Sequence, residues 1–188
     1  KATKQINYLS RYELAKKSKK MGVKFYLLPS SCSVYGFSND LLNEESKTNP
    51  LSLYAKYNHE AEKKILPLSD HDFIVTVIRQ ATVFGYSERM RYDLAINALT
   101  HDAFKTNSIS LMRDGNQWRP FVHIKDTCRA MIHLLEISDK DKINNQIFNV
   151  GDDRMNFQIN KIGRIFKKKF SNLKLNWYGD TDNRSYKI

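Results

Sequence analysis

The feature that most limits how this chain can fold is a short apolar run at residues 24–29, which ends in four small residues, 30–33. An uninterrupted apolar run of this length, bounded by polar residues, is typical of a buried strand in a parallel sheet. A helix is predicted to begin at Asn49-Pro50, because proline is favoured near the first helical turn, and it carries Tyr54 in that turn. The chain therefore places hydroxyl groups at a strand end and a tyrosine at a helix start, an arrangement suited to proton transfer.

The remainder of the chain alternates between predicted helices and strands. Helices are predicted at residues 5–21, 50–66, 93–104, 125–135 and 156–170, strands at 24–29, 73–78, 109–112, 121–124, 146–151 and 173–178, and a polar loop at 37–48. Alternation of this kind predicts an α/β fold, and two strands joined by one helix predict a right-handed parallel crossover.

Composition and charge argue against several classes of protein. With 188 residues, 41% of them hydrophobic, the chain can bury a sizeable core, and no apolar run approaches the roughly 20 residues that span a bilayer. Part of the net charge of +11 comes from lysine clusters at residues 16–20 and 167–169. These clusters lie in amphipathic helical patterns and are interpreted as solvated helix faces. We therefore expect neither membrane nor nucleic-acid binding, although the charge favours anionic substrates.

The cysteines and histidines indicate neither disulfides nor a metal. Cys32 and Cys128 form no CxxC pair, which predicts a reducing compartment and a cytoplasmic protein. The five histidines show no spacing typical of metal ligands, so no metal site is expected.

Four motifs, in order, resemble those of one enzyme family. They read SSCSVYG at 30–36 followed by PLSLYAKYN at 50–58, RQATVFG at 79–85, DGNQWRPFVHIKD at 114–126, and NVG at 149–151. Together they are similar to the motifs of the extended short-chain dehydrogenase/reductase superfamily, in particular the NAD-dependent nucleotide-sugar epimerases and dehydratases. The resemblance covers essentially the whole chain, with one departure, because the lysine of the family's Y-x-x-x-K pattern is Asn58 here.

The resemblance implies a partial, C-terminal part of a Rossmann-like parallel sheet with a small α+β substrate-binding subdomain. Residues 1–85 and 125–150 would belong to the sheet domain, and residues 86–124 and 151–188 to the subdomain. None of the seven glycines forms the G-x-x-G-x-x-G turn that approaches a dinucleotide pyrophosphate. We therefore expect the chain to be part of a longer protein, homodimeric in full, with an incomplete NAD or NADP site. A self-sufficient small α/β domain is the alternative.

The resemblance also implies roles for the residues around the strand end. Tyr54 would exchange the proton of a sugar hydroxyl during hydride transfer, and Ser31 would hydrogen-bond the same oxygen. Tyr54 and Asn58 would contact the cofactor as well, together with Ser30 and Ala81. A phenol needs help in this role, since its unperturbed pKa is about 10, and Asn58 carries no charge. Ser31 could instead only cap backbone groups, and Tyr54 could only anchor the helix turn.

For the substrate, the resemblance implies a nucleotide-diphosphate sugar. Its contacts would come from Ser33, Thr82, Arg89, Arg91, Arg119 and Arg184. Arg119 and Arg184 match arginines that grip the diphosphate, and a guanidinium fork suits phosphate oxygens, although either could instead form a surface salt bridge. Thr82 stands where some epimerases have asparagine.

The pair Cys32-Ser33 bears on the type of reaction. Family members that dehydrate a sugar carry acidic residues at this pair, whereas neither residue is acidic here. The expected function is therefore NAD(P)-dependent epimerisation. The alternatives are 4-ketoreduction of a nucleotide sugar, or a catalytically impaired nucleotide-sugar-binding protein because of Asn58.

Overall fold

The computed structural model describes residues 1–112, 114–180 and 183–188. Its helices are α1 (Ala2–Lys4), α2 (Ser10–Lys20), α3 (Leu53–Ile65), α4 (Ala95–Thr106), α5 (Ile124–Glu136) and α6 (Ile159–Lys169). Its strands are β1 (Phe25–Ser31), β2 (Phe37–Leu41), β3 (Ile74–Gln80), β4 (Thr82–Phe84), β5 (Ser108–Met112), β6 (Trp118–His123), β7 (Gln146–Val150), β8 (Asn156–Gln158), β9 (Lys174–Tyr178) and β10 (Ser185–Lys187).

The main sheet has three parallel strands in the order β1-β3-β7. β3 lies in the centre, and its first six residues are buried, as its run of β-branched side chains predicts. One core cluster, around Ala15, Leu28 and Ile65, packs between this sheet and helices α2 and α3. A second cluster, around Ile78 and Leu134, covers the opposite face with α5. The chain is thus an α/β protein with helices on both faces of a parallel sheet, which confirms the predicted fold class.

Helix α3 begins later than predicted. The side chain of Ser52 caps the helix by accepting a hydrogen bond from the Ala55 N–H at 3.2 Å, so the first helical residue is Leu53. Pro50 therefore lies before the helix, and the prediction of a start at Asn49-Pro50 is wrong. Tyr54 does lie in the first turn, as predicted.

The N-terminal helix is continuous but not uniform. It runs from α1 through a π-helical segment, Gln5–Leu9, into α2, where residues 5–21 were predicted to be helical. Met21 and Gly22, which has a φ of 78°, end it and lead directly into β1.

Three small sheets extend the structure beyond the main sheet. They pair β4-β6-β8, β5 with β9, and β2 with β10. Two predictions are wrong here. Residues 156–158 were predicted to begin a helix but form β8, because they pair antiparallel with 118–120 of β6. Residues 37–41 were predicted to be loop but form β2, because the distant strand β10 supplies its backbone partners.

A third core cluster lies among these smaller elements. It joins Leu99 of α4, Leu111 of β5, Phe121 of β6 and Ile162 of α6. The predicted division of the chain into a sheet domain and a subdomain remains a prediction. In the described ranges, no helix is long and apolar enough to cross a membrane.

Candidate active site

The end of β1 and the start of α3 are held together by close backbone packing. The N–H of Asn49 donates to the carbonyl of Val34 at 3.0 Å. At Gly36, where φ is 76°, a Cβ atom would lie 1.9 Å from the carbonyl oxygen of Asn49, so only glycine fits there. The motif glycine thus lets the segment before α3 approach the strand end closely.

Ser31 is the last residue of β1 and is half-buried. Its Oγ accepts a hydrogen bond at 3.2 Å from the N–H of Ser33 and so caps the 3₁₀ turn Cys32–Tyr35. Capping of backbone groups is one of the two roles that the sequence allowed for Ser31. A hydroxyl that accepts a bond can still donate its own hydrogen, so capping leaves Ser31 able to bond a second oxygen.

Tyr54 presents its side chain to solvent, with 46% of its surface exposed. The field of its phenol is among the smaller influences that raise the pKa of Tyr186, whose main cause is burial. It also contributes to the raised pKa of Arg91, which is due first to a hydrogen bond with Asp93. The phenol therefore lies within electrostatic range of both Tyr186 and Arg91.

Asn58, one helical turn after Tyr54, is completely buried, with 0% of its surface exposed. Its Nδ2 donates to the carbonyl oxygen of Tyr54 at 2.9 Å, and its Oδ1 accepts from Nη1 of Arg11 at 2.8 Å. The same Nη1 donates to the carbonyl of Pro29 at 3.1 Å. An arginine from α2 is thus held beside the position where the family pattern has lysine.

Ser30 lies in a buried polar network rather than at an open surface. Its Oγ hydrogen-bonds Oε1 of Glu62, and Glu62 pairs with Arg79 through Oε2 and Nη2 at 2.9 Å. Arg79 Nη1 also donates to the hydroxyl of Tyr35 at 3.0 Å. The Ser30 hydroxyl is thus engaged in a hydrogen bond inside the protein. A cofactor contact of Ser30 stays a prediction.

Cys32 and Ser33 are neutral groups at the strand end. Cys32 is 0% exposed and its thiol donates to the carbonyl of Arg79 at 3.1 Å. Burial raises the pKa of the Cys32 thiol, so it stays protonated at neutral pH. The Oγ of Ser33 is buried and has no hydrogen-bond partner among the described residues. Neither side chain offers a carboxylate or a thiolate for proton transfer.

An open cavity of about 440 Å³ lies between β4, α4, β5 and β6. It brings together three residues predicted to bind substrate, Thr82, Arg119 and Arg184. The guanidinium of Arg119 donates to the carbonyl oxygens of Trp118, at 2.9 Å, and Arg184. It also lies 5.9 Å from the ring centre of Tyr186.

Three other predicted substrate residues, Ser33, Arg89 and Arg91, lie outside the lining of this cavity. Arg91 forms a two-pronged salt bridge with Asp93, with bonds of 2.7 and 2.6 Å. Asp93 lines the cavity, so Arg91 stands at its rim. Arg89 is exposed in the loop before Arg91. Their contacts with substrate stay predictions.

Ala81 and Gln117 complete the surroundings. Ala81 is 4% exposed and packs with Cys32 and Val122 at the end of β3. A cofactor contact of Ala81 stays a prediction.

Gln117 lines the cavity, is 6% exposed, and its Oε1 lacks a hydrogen-bond partner among the described residues. A buried acceptor without a donor is costly unless a water or ligand supplies one.

Two residues at the site were not singled out from the sequence. Gln117 lies inside the DGNQWRPFVHIKD motif, so the motif itself could have indicated it. Arg11 lies in a helix of repeated cations, and no local pattern distinguishes it from the lysines around it.

The family model described as "NAD dependent epimerase/dehydratase family" matches residues 1–151. Since that covers well over half of the 188 residues, the chain belongs to this family.

Two curated relatives show how far the similarity extends. Methionine adenosyltransferase 2 subunit beta of Bos taurus is 29% identical over 135 residues, which is 72% of this chain and 39% of that protein. The putative UDP-glucose 4-epimerase of Methanocaldococcus jannaschii is 26% identical over 166 residues, which is 86% of this chain and 52% of that protein. The chain thus spans about half or less of the length of these relatives.

Solved structures show the same fold. MoeE5 in complex with UDP-glucuronic acid and NAD superposes with a TM-score of 0.84 and 24% identity, covering 96% of this chain and 60% of that one. A UDP-glucuronic acid 4-epimerase from Bacillus cereus, in complex with UDP-glucuronic acid and NAD, gives 0.83 and 22%, covering 97% and 58%.

Two hydroxyl groups are candidates for contact with the family's NAD cofactor. Ser31 is the last residue of β1 in the parallel sheet, and Tyr54 lies in the first turn of α3. None of the seven glycines of the 188 residues forms the G-x-x-G-x-x-G turn that holds a pyrophosphate. The contacts of Ser31 and Tyr54 with NAD stay predictions.

Proposed function

We propose that this chain carries the catalytic and substrate-binding parts of an NAD(P)-dependent epimerase that acts on a nucleotide-diphosphate sugar. The observation that carries the proposal is the placement of Tyr54. Its exposed phenol stands at the start of α3, within the field of Arg91, which flanks the cavity that holds Arg119 and Arg184.

In this proposal Tyr54 takes the proton from a sugar hydroxyl and later returns it. Its place in the first turn of α3 supports the role, because the positive end of a helix dipole favours an anion there. The free hydrogen of the Ser31 hydroxyl would bond the same sugar oxygen. When bound, the family's NAD cofactor would supply reversible hydride transfer at the sugar carbon.

The cavity supports the assignment of the substrate class. Guanidinium groups form strong, two-pronged hydrogen bonds with phosphate oxygens, and Arg119 and Arg184 both line the cavity. The partnerless Oε1 of Gln117 would accept an N–H or O–H from the nucleoside or the sugar. The relatives whose printed names mention UDP-sugars agree with this class.

The strand end supports epimerisation over dehydration. Dehydration requires a second acid/base group to remove water from the sugar, and the buried, protonated Cys32 and the Ser33 hydroxyl are poor groups for that task. Neither the family match nor the contacts of Asn58 supports the alternative of an impaired binding protein.

The test is product analysis with the full gene product that contains this chain. Incubation with NAD and UDP-glucose, UDP-glucuronic acid or dTDP-glucose should give a C4 epimer, identified by NMR. Tyr54→Phe should lower the rate by about 10²- to 10⁴-fold, since it removes the acid/base group.

A matched control is Tyr57→Phe, on the same helix and three residues further along. It should retain most of the activity. A 4-keto-6-deoxy product would contradict the proposal, and net reduction of a keto-sugar would favour the ketoreductase instead.

A further inference from the structure

The buried side chain of Asn58 in α3 forms a hydrogen-bonded link to α2. Its Nδ2 is bonded to the carbonyl of Tyr54, which fixes the orientation of the amide and turns Oδ1 toward Arg11. Complete burial, at 0% exposure, leaves this amide no alternative arrangement in solvent. The main chain of Tyr54 is therefore linked to a guanidinium group through only two hydrogen bonds.

Arg11 also forms hydrogen bonds with two other residues. Its Nη1 also donates to the carbonyl of Pro29, two residues before Ser31, and its own carbonyl accepts from the hydroxyl of Tyr26 at 3.3 Å. The guanidinium thus lies between the end of β1 and the first turns of α3. These two elements carry the hydroxyls of Ser31 and Tyr54.

The positive charge of Arg11 is not neutralised where it lies. Both acceptors of its Nη1 are neutral, an amide and a backbone carbonyl, and within residues 1–112, 114–180 and 183–188 it has no carboxylate partner. Its field already acts on one phenol, since burial raises the pKa of Tyr26 and Arg11 opposes that rise.

The geometry matches the reach of a longer side chain at position 58. An asparagine side chain and a 2.8 Å hydrogen bond together span about the length of an extended lysine side chain. We infer that Arg11 is a positioning residue that supplies, from α2, the positive charge that a lysine at position 58 would bring to Tyr54, and that Asn58 holds it there. The inference rests on the proposed acid/base role of Tyr54.

Other charged and titratable groups lie on α3 or interact with Tyr54 or with Tyr186. On α3 itself they are Lys56, His59 and Glu62, and Glu62 is neutralised by Arg79. From the neighbouring elements they are Arg91 with its partner Asp93, Tyr186, Cys32, Arg119 and Arg184. Arg91 shares its charge with Asp93 through two hydrogen bonds, whereas Arg11 has no such partner in the described part of the chain.

The test follows the ionisation of Tyr54 directly. The full gene product, labelled with ¹³C at tyrosine Cζ, is titrated by NMR, and the Tyr54 signal is assigned by its loss in Tyr54→Phe. Arg11→Gln should lower the ionised fraction of Tyr54 at a given pH about tenfold, equivalent to one unit of pH. The acid limb of the pH–rate profile should move to higher pH by a similar amount.

Lys17→Gln is the matched control, because it removes one exposed positive charge from the same helix. It should leave the Tyr54 titration unchanged, and Arg11→Lys should restore most of it. Asn58→Ala keeps Arg11 but removes its hydrogen bond to the Asn58 side chain, and should shift the Tyr54 titration in the same direction as Arg11→Gln. It provides a second measurement if the Arg11→Gln variant does not fold.

An unchanged Tyr54 titration in folded Arg11→Gln or Asn58→Ala would overturn the inference. The contact of Arg11 with Asn58 would then serve only to hold α2 against α3. The titration needs neither substrate nor turnover. A failure of the proposed epimerisation therefore shows in the product analysis, and a failure of this inference shows in the NMR titration.

Discussion

Two arginines tie helix α3 to the sheet, and they differ in how their charge is balanced. Arg79 of β3 is paired with Glu62, and the side chains of the two are only 5% and 2% exposed. Arg11 of α2 is half-buried and bonds to a neutral amide and a neutral carbonyl. The first guanidinium is neutralised inside the protein, whereas the second brings a net charge to the edge of the site.

The surroundings of Arg79 show what a structural role requires. Burial acts to lower the pKa of Arg79, but the hydrogen bonds and charge of Glu62 outweigh it, and the pKa is raised. Arg79 also bonds the hydroxyl of Tyr35 and the carbonyl of Glu44. A buried charge held by so many partners is expected to matter for stability, and the comparison predicts that Arg11 matters more for chemistry.

The largest effect is expected from Glu62→Gln. It leaves the buried charge of Arg79 without its counter-charge, which should lower the free energy of unfolding by about 3–5 kcal/mol. Urea unfolding followed by circular dichroism would measure it.

The matched comparison is Glu13→Gln, which removes an exposed ion pair with Lys16. This variant should unfold like the wild type, because exposed pairs contribute little. The double variant Glu62→Gln/Arg79→Met should recover much of the loss. If Glu62→Gln alone unfolds like the wild type, the buried pair does not hold α3 to the sheet.

A smaller effect on stability is expected from Arg11→Met. It removes two hydrogen bonds to neutral acceptors and leaves Oδ1 of Asn58 without a donor, which should cost about 1–3 kcal/mol. The same urea unfolding measures it. A loss as large as that of Glu62→Gln would mean that the two arginines play the same structural role.

Much of the main sheet could be predicted from local sequence. β1 and β3 are short apolar runs, β3 buried over its first six residues and β1 mostly half-buried, and α3 presents a buried face at helical spacing. The candidate role of Tyr54 could also be predicted from local sequence, because the residues of its motif are near one another along the chain.

What could not be predicted depends on partners far along the chain. β2 is mostly exposed and polar, and only its pairing with β10 makes it a strand. The contact between Arg11 and Asn58 joins residues 47 positions apart. Asn58 could be recognised as a departure from the family pattern, but the arginine beside it could not, because it requires the packing of α2 against α3.

The role of Arg11 is tested most directly by moving the positive charge from one helix to the other. In the double variant Arg11→Gln/Asn58→Lys the cation comes from α3 instead of α2, and epimerisation rates at neutral pH are compared with Arg11→Gln alone and with the wild type. If Arg11 supplies the charge, the single variant is about tenfold slower than the wild type, and the double variant regains most of the wild-type rate. A double variant no faster than Arg11→Gln would contradict this role of Arg11.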